Sequence, residues 1–82
     1  MNSVAAKGFV LIETAVGISK EVVEVVDALR KLEGVDSVDS VTGPYDIIAV
    51  IHGETMNDIG DLVTSKIHPI AGISRTVTCL AI

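Results

Sequence analysis

Three aliphatic runs, residues 9–16, 45–51 and 73–82, place apolar side chains at both odd and even positions. Strand side chains alternate between faces, so runs of this kind read as strands that must be covered on both sides. Turn formers bound them: Gly8 and Gly17 around the first, Gly43-Pro44 and His52-Gly53 around the second, and Gly72 before the third. Between them the spacing becomes helical. Ser19 is placed as an N-cap ahead of a stripe of Val22, Val25, Val26, Leu29 and Leu32, and Gly34 stops that helix. Its outward pairs, Lys20 with Glu24 and Asp27 with Lys31, read as a solvated face. Thr55 followed by Asp58 has the form of a capping box, and Ile59, Leu62, Val63, Ile67 and Ile70 continue it as a second helix ending near Pro69. Residues 35–41, more polar, read as an edge strand that forms a hairpin with the run 45–51 about Gly43-Pro44.

The element order is therefore βαββαβ, an α+β, ferredoxin-like plan: a four-stranded antiparallel sheet with two helices on one face. Two helices cover only one face of such a sheet, yet the first, third and last strands are apolar on both. The second face needs a partner, and face-to-face packing of two sheets makes a homodimer the expectation. Size points the same way. The chain has 82 residues, enough for a single domain, and a domain this small buries only about 60–65% of its extended surface. Its apolar fraction is 49%, with one Phe, one Tyr and no Trp, so disorder is excluded and the core is aliphatic.

Charge excludes further classes. The net charge is −5, and no basic cluster exceeds the pair Arg30-Lys31, so direct nucleic-acid binding is not expected. The single cysteine, Cys79, cannot form an internal disulfide and suits a reducing cytoplasm. No signal peptide or membrane-length apolar run is present, and a cytoplasmic location is expected. His52 and His68 match no catalytic or metal-ligand spacing and read as surface or helix-end residues, while Cys79 reads as a small buried apolar group. No metal, cofactor or enzymatic activity is expected; Arg30 and Arg75 lie outside any glycine-rich loop of the kind a phosphate-handling enzyme needs. Glu13, alone among aliphatic neighbours, must reach a rim, an interface, a ligand or solvent.

The segment Gly43-Pro44-Tyr45-Asp46 combines a permissive glycine, a stiffening proline, the only phenol and a carboxylate. It reads either as a binding hairpin or as a good turn with a solvated Asp. Thr76 and Thr78 share a strand face, either as paired hydroxyl donors or simply as good strand formers. In combination, Ile12-Glu13-Thr14 leading to Gly17, Gly34-Val35, the segment from Val41 to Ile47, Ile70-Ala71-Gly72-Ile73 and Thr76-Val77-Thr78 resemble, over nearly the whole chain, the effector-binding (RAM) domain of Lrp/AsnC transcriptional regulators. The N-terminal helix-turn-helix of those regulators has no counterpart in this sequence, which looks like a stand-alone version of the domain over 1–82.

That resemblance implies a homodimer formed through the sheets, dimers assembled into a ring of eight or ten subunits, and a small effector, typically an amino acid, held between dimers. It assigns the effector site to Gly43, Tyr45, Asp46, Thr76 and Thr78. An amino acid's ammonium calls for a carboxylate such as Asp46, and its carboxylate for the turn N–H groups and hydroxyls. Pro44 removes one N–H from that turn. The family's side-chain selectivity varies near Lys66. The expected role is an amino-acid-sensing domain that modulates full-length Lrp/AsnC regulators by co-assembly. The alternative is a ligand-free oligomeric structural subunit of the same fold. The effector, the number of dimers and the regulatory partner are not encoded legibly.

Overall fold

Strand β1 (Ala6–Thr14) alternates as the first aliphatic run requires, with Ala6, Val10, Ile12 and Thr14 buried on one face and Lys7 and Phe9 exposed on the other. The structure is a computed structural model describing residues 6–15 and 19–82, without the side chains of 19–21. The expected stop at Gly17 lies outside these residues, and the Ser19 cap and the Lys20–Glu24 pair rest on side chains outside them. The remaining elements follow as α1 (Ser19–Arg30), β2 (Val35–Ser40), β3 (Ile47–Gly53), α2 (Met56–Leu62), one π-helical turn (Val63–Ile67) and β4 (Ile73–Leu80). All neighbouring strands are antiparallel in the order β2-β3-β1-β4, the ferredoxin-like arrangement expected of βαββαβ.

Both helices pack on one face. Val25, Val26 and Leu29 from α1, Ile59 from α2 and Ile67 from the π-helical turn enclose Val10 and Ile12 of β1 and Ile47, Ala49 and Ile51 of β3. Each large aliphatic side chain fully buried there contributes about 1.5–3 kcal/mol. Arg30, the last residue of α1, donates from Nη2 to the Val38 carbonyl at 3.0 Å and ties the helix end to the edge strand. The capping box forms as the sequence suggests: Asp58 N donates to Thr55 Oγ1, and Thr55 N to Asp58 Oδ2, both at 3.1 Å.

Strand ends differ from the sequence reading, each for a local reason. Gly8 lies within β1 and does not bound it, because residues 6–8 pair with Gly53, His52 and Ile51. A Cβ at Gly8 would stand 3.3 Å from Ile59 Cγ2, so glycine there permits close approach of α2. For the same reason β3 continues through His52 and Gly53. It begins at Ile47, because the connection 41–46 is longer than a tight turn and closes with Val41 N donating to the Asp46 carbonyl at 2.9 Å. β4 ends at Leu80, where its partner on β1, Gly8, is reached.

The face away from the helices carries Phe9 and Leu11 of β1 beside Ile48 and Val50 of β3, with Val77 and Cys79 of β4 on the other flank. None of the described residues covers it. The two sheet edges are unlike. β2 is polar, bears Asp36, Ser37, Asp39 and Ser40, and is bulged between Val35 and Ser37. β4 keeps unbroken register with β1 from Arg75 to Leu80.

Candidate functional site

Asp46 is the most constrained of the residues that the sequence points to. Its backbone N–H donates to the Ile12 carbonyl at 2.9 Å. Its Oδ2 accepts from both the backbone N–H and the hydroxyl of Thr14, each at 2.9 Å. The carboxylate thus fastens the β2–β3 connection to the end of β1, where Thr14 is buried. Oδ1 is left without a hydrogen bond among the described residues. Gly43 is exposed with φ +147, and a Cβ there would meet nothing within 4 Å; backbone conformation, not crowding, selects glycine. Tyr45 is half-buried beside it.

Thr76 and Thr78 do share a face, because they pair with Ile12 and Val10, the core-facing residues of β1. Thr78 is exposed and lines a groove of about 290 Å³ with Met56, Gly60, Val63, Thr64 and Leu80. Ile12 pairs with Ile47 on one side and Thr76 on the other. The hairpin is therefore separated from the threonines by two strand spacings, roughly 9–10 Å. Within one chain the five positions divide into a hairpin group, Gly43, Tyr45 and Asp46, and a strand group, Thr76 and Thr78. They do not close around one cavity.

The other singled-out residues are placed as follows. Glu13 is half-buried on the uncovered sheet face opposite Arg75. Cys79 is exposed on that same face, not buried as its residue type suggested, because its partner Phe9 points away from the helices. His52 pairs through Nδ1 with Asp36 Oδ1 at 2.6 Å, at the surface. His68 is exposed just beyond the π-helical turn. Sequence reading missed a groove of about 680 Å³, which includes Lys31, His52 and Lys66. No motif signals it, since its residues come from separate segments. No helix among the described residues is long and apolar enough to cross a membrane.

A family model described as the Lrp/AsnC ligand binding domain matches residues 7–82. Uncharacterised HTH-type transcriptional regulators of Pyrococcus furiosus and Pyrococcus horikoshii are 31% and 29% identical over 58 residues, 71% of this chain and 39% of each relative. The match thus spans well under half the length of those regulators. A solved Thermus thermophilus protein superposes with a TM-score of 0.83 at 35% identity, covering 94% of this chain and 92% of its own. Escherichia coli AsnC superposes with a TM-score of 0.85 at 20% identity over 95% of this chain and 51% of its own. A Neisseria meningitidis regulator solved as an L-Met complex gives 0.84 at 15% identity over 96% and 51%. These last two likenesses concern the fold alone.

Proposed function

Because the chain belongs to the Lrp/AsnC ligand-binding domain family, a family of transcription-regulator sensing domains and not of enzymes, we propose that it binds a free amino acid where copies of the chain meet. The observation that carries this reading is the division of the five expected positions. In a single chain the hairpin and the threonines stand two strand spacings apart and share no groove described above. A second copy presenting its hairpin near the first copy's Thr76 and Thr78 brings the two groups together. Asp46 Oδ1 then accepts from the ammonium, and the threonine hydroxyls with the Gly43 turn donate to the carboxylate. An L-Met complex of a regulator with this fold supports the ligand class.

The uncovered apolar face supports a dimer packed sheet to sheet. Higher assembly, an octameric or decameric ring, brings the two groups of site residues together across dimers. The domain then acts in the cytoplasm by modulating, through co-assembly, regulators like its HTH-type relatives. Calorimetry and thermal shift against the 20 common amino acids provide the test. One or a few should bind, and Thr78→Ala should weaken that binding. Absence of heat and of any shift across the set would refute the sensing role.

One observation favours a second reading, a ligand-free structural subunit. The Asp46 carboxylate already has a structural task at Thr14. An oligomer mass unchanged by Tyr45→Ala and by every amino acid tried, with no ligand in crystals of the purified protein, is the outcome that reading predicts.

A further inference from the structure

The 680 Å³ groove lies at the end of β3 opposite Asp46 and is built from the turn after α1, the end of β3 and the junction of α2 with the π-helical turn. After α1 the chain tightens, with Leu32 N donating to the Leu29 carbonyl at 3.1 Å, and turns at Gly34, whose φ is +98. His52 N donates to the Gly34 carbonyl at 2.9 Å and holds that turn against the end of β3. From the other side α2 runs through Leu62 into the π-helical turn, where His68 N reaches back to the Val63 carbonyl at 2.8 Å. Single π-helical turns concentrate at functional sites, and this one carries Lys66 into the groove.

Leu32 and Leu62 give the groove an apolar floor, and two glycines keep its backbone low. A Cβ at Gly34 would stand 3.1 Å from Leu62 Cδ2, and one at Gly53 2.9 Å from Asp58 Cβ. Around this floor stand two ammonium groups, Lys31 and Lys66, and two carboxylates, Glu33 and Glu54. No ion pair joins any of these four among the described residues. A polyanion would be repelled by the glutamates and a polycation by the lysines. A zwitterion satisfies both. The volume falls within the range of about 300–1,000 Å³ typical of small-molecule sites and exceeds what one free amino acid fills.

We propose that this groove is a second ligand site, separate from the effector positions, that takes a zwitterion of dipeptide size. Its carboxylate meets Lys31 and Lys66, its ammonium meets Glu33 and Glu54, and its side chain lies on Leu32 and Leu62. The probe is glycyl-L-leucine, titrated into the intact oligomer by calorimetry alongside N-acetyl-glycyl-leucine and glycyl-leucinamide. The free dipeptide should bind at up to low-millimolar concentration. Each capped form should bind at least about tenfold more weakly, as loss of one charged partner predicts. Lys66→Glu should weaken the dipeptide by about the same factor with oligomer mass and melting unchanged, and Lys31→Glu serves if that variant does not fold. Glu24→Lys, a charge change of equal size on the exposed face of α1 and outside the groove, should leave the affinity as it was. Absence of dipeptide binding, equal binding of the capped forms, or displacement by a saturating free amino acid would overturn the proposal. The last result would return the ligand to the effector positions, while failure of all free amino acids with success of the dipeptide would sink only the effector reading.

Discussion

At the scale of single residues, Asp46 holds the β2–β3 connection against β1 through two hydrogen bonds to Thr14. Asp46→Ala should therefore destabilise the fold by about 1–3 kcal/mol, seen as a lower denaturant midpoint, because it removes two part-buried hydrogen bonds that tie the connection to β1. Asp46→Asn, whose amide oxygen still accepts, should lose less, and it is the better variant for reading ligand affinity. Gly34→Ala should cost about 1–2 kcal/mol of the same stability, because the left-handed backbone crowds any Cβ, and here that Cβ also presses on Leu62. The carboxylate's residue type and neighbourhood were legible in the sequence, but its partner was not: Thr14 is 32 positions away, and only strand pairing brings the two together. Cys79 illustrates the same limit. Its chemistry suits a core, and the register of one neighbouring strand decides otherwise.

Elements were legible where their signals are local. The stripe of α1 and the Thr55–Asp58 box depend on residues within a few positions of each other, and both form. Thr55→Ala should remove about 1 kcal/mol, measured as a drop in chemical stability without loss of oligomer mass. Leu29→Ala, emptying a site with no solvent exposure, should cost about 2–5 kcal/mol. Strand limits were less legible, since they depend on the partners' lengths: residues 6–8 are strand because 51–53 lie alongside them, with Leu80 opposite Gly8 on the other side. The π-helical turn has no spacing of its own in sequence. Its apolar residues at 63 and 67 fit an ordinary helix equally well, and the difference lies in which carbonyl His68 N reaches.

Across the whole molecule, the sheet is covered by helices on one face, and on the other no described residue covers it. The aliphatic excess of the sequence foretold that imbalance, because apolar residues at both parities outnumber what two helices can cover. Leu11→Glu, at the middle of the bare face, should convert a sheet-packed dimer to a folded monomer in light scattering, with helical and strand dichroism retained. A dimer mass unchanged by that substitution would place the interface elsewhere. The candidate sites were less legible than the fold, since each is assembled from segments that meet only after folding. Lys31 and Lys66 share a groove, while Asp46 and Thr78 do not.

The unlike edges of the sheet set a limit on growth. A bulge and a row of Asp and Ser side chains leave β2 a poor template for another strand, whereas β4, the other edge strand among the described residues, keeps an even register and is the better template. Strand addition can proceed on one side only. Two copies joined along β4 would expose a β2 at each end and stop there, so sheet extension in this protein terminates at a pair, and open-ended ribbons are blocked by the edge itself.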